Sequence, residues 1–383
     1  MKKVLICVAL SLLTIIAACS ISQVNSASES ASDTSDPGTV SVDYARSEKQ
    51  EFTDEWGSNP AEKDKVPEYL PDPWKTYEEA KEPELQKESE ANGYFTIMVP
   101  TYIKFYDGLY FIVDCYHDQV VFTDDYDKPI YDWKVMDKDL DRPHTIASDG
   151  EVYMVDDTEN KRIVAYTKHV EEDGEIWFER IQEFVDMGER PHYVIYDETD
   201  GCFYAWSSMS GQMWVFKRSK DDKKVFLDAS YSIPDLNGVY VRSFYFEDDK
   251  VYFVSGVYGN GTIYETTKDT FDVVREIPVA PEIGGMVQIT KIQDYYYVTS
   301  STSLYGETDL RFVVRTDSLE HLMMGQFEDV TDKLVGSEFP GTPYNITSVN
   351  DEWFLSIHRD ALGSPFVRFK VVDNEITEIN EVQ

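Results

Sequence analysis

Cysteine and histidine are scarce in this chain of 383 residues, which holds four of the first and six of the second. Once Cys7 and Cys19 are assigned to the amino-terminal segment, Cys115 and Cys202 remain, too few for a disulfide framework. Positive charge is short as well. Lys and Arg number 35 against 72 Asp and Glu, a net charge of −37, which opposes binding to nucleic acid and electrostatic adsorption to anionic lipid. The chain has no Gly-rich phosphate loop, no HExxH, no GxSxG and no CxxC pair, so the enzyme classes built on those motifs are excluded. No long helical periodicity follows residue 92.

At the amino terminus, Lys2 and Lys3 precede an apolar run from Val4 to Ile16, then Ala17, Ala18 and Cys19. A charged start, a short apolar stretch and a small-residue cleavage site read as a signal peptide over residues 1–18, too short for a comfortable membrane span. The string "IAAC" ahead of Ser20 resembles a bacterial lipobox, which implies lipidation of Cys19. Two or more acyl chains on that cysteine anchor stably where one does not, so the expected place is the outer face of the cell membrane. Residues 19–92 are rich in Ser, Glu, Asp, Lys and Pro and read as an acidic flexible linker.

Residues 93–383 are rich in Tyr, Phe and Trp and carry a repeat. Pro-x-x-(Ile/Val) occurs at Pro100, Pro143, Pro191 and Pro343, the first intervals being 43 and 48 residues. Degenerate copies begin at Gly238 and Gly284, which makes six units. Each unit runs from an alternating strand through an acidic or Gly turn ("YDG", "SDG", "ETDG") to a more apolar strand ("LYFIVD", "VYMVD", "CFYAW"). A third alternating strand and a weaker fourth follow. Short alternating runs separated by turn residues are hairpins, and four strands per 40–50 residues is the grammar of a propeller blade. The expected fold is all-β, a six-bladed β-propeller of four-stranded antiparallel blades after a disordered arm. Ring closure removes sheet edges, so a monomer is expected. Two further stretches read locally: "GVYGNGTIY" at Gly256 as a hairpin loop, and "SLEHLMMGQF" at Ser318 as a short helical turn with Met323 and Met324 packed.

"RPHTIASDGEVYMVDDTENKRIVAY" from Arg142 resembles an NHL repeat, and the domain resembles NHL-like and SMP-30-like six-bladed propellers. The resemblance implies that Asp156 and Asp114, closing second strands, hydrogen-bond the loop that follows. It also implies that inner strands line a central channel, which places His144 and His192 in one layer with Thr101 and Tyr344, and with Ser243 and Gln288 as counterparts. An NHL-type lyase acting on hydroxyglycine peptides holds zinc on funnel histidines. SMP-30-like lactonases hold a divalent cation on Glu, Asn and Asp, and Asn345 is the one candidate here for that set. A divalent metal on His144 and His192 is therefore one expectation, with two matched imidazoles where three are usual.

The bases sharpen another. Arg142 and Arg190 precede the two histidines, and Lys104, Arg242 and Lys291 fall on other inner strands. Pointing inward, they would form a cationic funnel suited to a carboxylate or phosphate. Two functions stay open at this point. One is a lipid-anchored binding module that takes a small anionic molecule, a sugar or a protein partner at the funnel through His144, His192, Arg142, Arg190, Arg242, Lys291 and Tyr344. The other is a metal-dependent lyase or hydrolase using the funnel histidines.

Overall fold

The structure is a computed structural model that describes residues 38–41, 97 and 99–382, apart from 221–222, 307, 338–340 and 359–364. The signal peptide, Cys19 and most of the linker lie outside the described residues. Six antiparallel four-stranded sheets form a six-bladed propeller, and each blade's four strands come from one unbroken stretch of chain. Blade 1 comprises Pro100–Tyr106, Leu109–Asp114, Gln119–Thr123 and Lys134–Asp137. Blade 2 comprises Ile146–Ser148, Val152–Asp157, Arg162–Val170 and Ile176–Val185. Blades 3 and 4 open with inner strands Pro191–Asp197 and Val241–Glu247, and blades 5 and 6 with Gly285–Ile292 and Thr342–Val349. A further strand, Gly38–Ser41, pairs in parallel with the outer strand of blade 2, Gly38 opposite Gln182 and Ser41 opposite Val185.

The local chemistry explains the hairpins. Asp107 and Gly108 both take positive φ (47° and 80°), as do Asp373 and Asn374 (51° and 66°). Two consecutive left-handed residues match the twist of the strands they join, and Asp, Asn and Gly tolerate that region best. The second strands are buried on both faces, "VYMVDD" and "CFYAWS" without an exposed residue, because each blade is covered by a neighbour on either side. Trp206 illustrates the packing. Its ring lies 4.6 Å from Phe253 of blade 4, and its Nε1 donates to the Val241 carbonyl at 3.2 Å.

A belt of side-chain hydrogen bonds runs from blade to blade around the channel. Thr101 Oγ1 donates to His144 O (2.7 Å), Val194 N donates to Thr145 Oγ1 (2.7 Å), and His192 Nδ1 donates to Arg242 O (2.9 Å). Ser243 Oγ donates to Val287 O (2.7 Å), and Gln288 exchanges two bonds with the Ile346 backbone (2.9 and 2.6 Å). Ser356 Oγ, reaching Thr101 O at 3.3 Å, returns the belt to blade 1. Closure of the ring also rests on a shared apolar cluster that includes Ile103, Ile112, Phe354 and Phe366, and on Lys104 Nζ donating to Ser348 O (3.1 Å). The "GVYGNGTIY" stretch joins two strands of blade 4 as expected. The short helix Leu319–Met323 also forms, but Met323 and Met324 are 47% and 58% exposed. The expected packing fails because Leu319 and Leu322 supply the buried side of the turn.

Candidate functional site

Where a blade's second strand ends, one side chain ties down the start of the inner strand. Asp156, fully buried, accepts from His144 N (2.9 Å), Thr145 N (2.7 Å) and Thr145 Oγ1 (2.6 Å), and lies 3.1 Å from Thr158 Oγ1. Asp114 accepts from Val99 N (2.9 Å), His117 Nδ1 (2.6 Å) and Gln119 Nε2 (3.2 Å). Ser356 does the same for Asn345 N (3.0 Å) in blade 6. These aspartates bond the loop that follows, as expected, and the start of their own blade's inner strand as well. Burial pushes the Asp156 carboxyl above the usual carboxylate range, against the pull of its hydrogen bonds.

This clamp brings the two repeated histidines together. The rings of His144 and His192 stack with centroids 3.7 Å apart and planes 29° off parallel. Their partners fix the tautomers. A carbonyl only accepts, so His192 Nδ1, bound to Arg242 O, carries the proton and Nε2 is an acceptor. Thr158 Oγ1 donates to Pro191 O (2.7 Å), so His144 Nδ1 donates to Thr158 Oγ1 (3.0 Å), and the Cys115 thiol faces His144 Nε2 at 3.7 Å. Burial lowers both imidazoles well below their ordinary range. Arg190, Arg142 and Arg242 then depress His144 further, and His144, Arg190 and Arg242 depress His192.

The arginines of the two Arg-Pro-His segments stand above this pair. Both take left-handed backbone, φ 52° at Arg142 and 61° at Arg190. That region is unfavourable for a long side chain, doubly so before proline, and it is held by Asp118 Oδ1 accepting from Arg142 N (2.9 Å) and Ser208 N donating to Arg190 O (2.8 Å). Glu159 Oε1 bridges the two guanidiniums, 2.9 Å from Arg190 and 3.9 Å from Arg142. Arg190 and Arg242 both approach the Tyr240 ring, at 5.9 and 5.5 Å from its centroid, and Arg142 stands 5.6 Å from that of Tyr116. Arg242 also donates to Ser301 Oγ (2.8 Å). Tyr258 completes this side, 6.2 Å from Tyr240, on a loop where Val257 and Tyr258 are both left-handed.

Below the arginines the channel narrows to about 10 Å³, lined by His144, His192, Tyr193, Arg242, Tyr344 and Asn345 among others. His144, His192, Arg142, Arg190, Arg242 and Tyr344 thus converge. Lys291 does not. It pairs with Glu247 and lies over Tyr296, in a side cleft of about 520 Å³ between blades 4 and 5. Lys104 likewise turns to blade 6, because strand alternation aims both ammonium groups at the preceding blade. By pairing with the second strands, Arg242 is the counterpart of His192, and Ser243 stands one residue further along. Sequence reasoning missed His358, whose ring stacks on Tyr344 at 3.7 Å. It ends a second strand where other blades place Asp or Ser, and that break in the repeat was the available signal. Cys115 and Cys202 are buried free thiols, and burial raises Cys115 further from the thiolate.

No protein-family model matches the sequence, and no curated protein does either. Solved structures match in fold. A candidate 6-phosphogluconolactonase from Bacteroides uniformis superposes with TM-score 0.50 at 12% identity, over 74% of this chain and 86% of that one. A second from Bacteroides fragilis gives 0.49 at 15%, over 74% and 85%. Virginiamycin B lyase from Staphylococcus aureus gives 0.47 at 15%, over 75% and 86%. At these identities the likeness is one of fold.

Proposed function

We propose that the protein is a lipid-anchored binding module that takes a small anionic ligand at the mouth of its central channel. The observation that carries the reading is the gathering of Arg142, Arg190 and Arg242, from three successive blades, around a histidine pair they help to keep neutral, with Arg190 and Arg242 over Tyr240 and Arg142 over Tyr116. Guanidinium groups present planar donors matched to carboxylate and phosphate. In a chain of net charge −37, such a gathering is not what average composition delivers.

The metal-dependent lyase or hydrolase finds less support. The donors lining the channel are two imidazoles, one facing a thiol that burial keeps protonated, and the Asn345 amide oxygen, in a field of three guanidiniums that opposes a dication. Among the described residues no three His, Cys, Asp or Glu side chains are placed to hold a metal ion. The residues present match neither the histidine-held zinc nor the Glu, Asn and Asp set of the propellers the sequence resembles.

Calorimetry of the full chain in detergent with succinate and with inorganic phosphate tests the binding reading. Saturable binding that weakens about tenfold or more in Arg190→Gly supports it, the loss of one bidentate anchor being worth at least about 1.4 kcal/mol. Equal binding by the variant, or no binding of either anion at 10 mM (about 2.7 kcal/mol of affinity), retires it. The anchor is tested by labelling cells with palmitate. Label on the wild type and none on Cys19→Ser supports lipidation, and label retained by the variant refutes it.

A further inference from the structure

Donors and acceptors are unevenly shared in the narrow part of the channel. Arg242 lines it and offers only donors. Two other lining atoms are acceptors with no hydrogen-bond partner, His192 Nε2 and Asn345 Oδ1, on residues that are each 2% exposed. The first is an acceptor because Nδ1 spends the ring proton on Arg242 O. A buried acceptor left without a donor is costly, and two sharing one cavity call for a group that donates to them. The space, about 10 Å³, is that of a single oxygen atom.

We infer that the ligand of this site is a hydroxy acid, whose carboxylate meets Arg242 and its neighbours while its adjacent hydroxyl enters the narrow part of the channel between His192 and Asn345. This rests on the anion-binding reading and adds the second half of the ligand. A simple carboxylate satisfies the arginines and leaves both acceptors bare. A donor without an anion satisfies the acceptors and forgoes the guanidiniums. A hydroxyl has one proton, so it donates to one acceptor at a time and can accept from Arg242.

Tartrate and succinate make the comparison, because they share charge and carbon skeleton and differ in two hydroxyls. Calorimetry is run on the full chain, on Asn345→Leu, which removes one acceptor at similar volume, and on His192→Asn. In the latter the amide nitrogen replaces the Nδ1 donor to Arg242 O and the Nε2 acceptor is gone. The expected result is tartrate bound at least about tenfold more tightly than succinate by the wild type, with the preference lost in either folded variant. Equal affinities in the wild type overturn the inference and leave the anion reading intact. A preference that survives in both variants overturns it too, since the hydroxyls are then read elsewhere. Binding of neither acid fails the anion reading itself.

Discussion

Replacing Asp156 with Asn tests whether the clamp beneath the histidines holds the site. Oδ1 accepts from Thr145 N and Thr145 Oγ1, and Oδ2 from His144 N, with the Thr158 hydroxyl oxygen beside it, all in a fully buried place. An amide keeps one acceptor oxygen and sets an NH2 in place of the other. If it replaces Oδ2, His144 N faces a donor, while the Thr158 hydroxyl is already used on Pro191 O. One orphaned backbone N–H and one orphaned amide hydrogen, at about 1–3 kcal/mol each, give a loss of about 2–6 kcal/mol. Relief from burying a carboxylate, whose pKa burial raises, trims that toward the lower half of the range. Asp114→Asn can keep its oxygen on Val99 N and set its amide against the side chains of His117 and Gln119, which can turn, so it is expected to cost about half as much. Urea unfolding followed by the fluorescence of the buried Trp206 and Trp214 gives both values. A loss under about 0.5 kcal/mol at Asp156, or a larger one at Asp114, would refute the reasoning.

Four other outcomes are expected. Both funnel histidines have lowered pKa values in the fold, so the unfolded chain takes up protons first as pH falls. Stability should be level above about pH 6.5 and fall below it by up to about 1.4 kcal/mol per pH unit for each ring; a His144→Asn/His192→Asn chain that keeps the full slope from pH 6.5 to 5 refutes this. Arg190→Gly should cost no more than about 2 kcal/mol, since glycine relieves the left-handed backbone while the largely buried pair with Glu159 is lost, and a fall of 3 kcal/mol or more would show the arginine to be structural. Gly285→Ala should fail to fold or lose more than about 3 kcal/mol, because its Cβ would overlap the Thr302 carbonyl, whereas Gly108→Ala meets open space and should cost only about 1 kcal/mol through its φ of 80°. Zinc and manganese titrated into the protein should give no saturable one-per-chain heat; such a heat, absent in the double histidine variant, would return the lyase reading to the fore.

The number of blades and the meeting of His144 with His192 were legible because a propeller repeats its grammar, and Pro-x-x-Ile marks where each inner strand leaves the loop. Arg242 was reachable only by counting strands in a unit whose proline is missing. Lys291 was misread because alternation, not strand membership, decides direction, and a twisted inner strand turns its far end toward a neighbour. Tyr240, Tyr258 and Tyr116 could not be singled out among 26 tyrosines. Tyr258 reaches the mouth on a loop whose left-handed residues, Val257 and Tyr258, are not the glycines, asparagines or aspartates that announce such turns. His358 hid in a second strand that otherwise reads as core.

Many ring-shaped folds are fastened by weaving the first strand of the chain into the last sheet. Here, among the described residues, the four antiparallel strands of each blade are complete before the next blade begins, and the junction of blade 6 with blade 1 is made by side chains such as Ser356, Lys104 and Phe354. Chain order therefore leaves little mark on the ring. Each of the six gaps is fastened by the same kinds of contact, so a circular permutant that opens at another gap and joins residue 382 to residue 99 by a short linker should assemble the same cylinder. Conversely, no knot of backbone resists opening of the natural gap. It is the place where hydrogen exchange should report the ring breathing first.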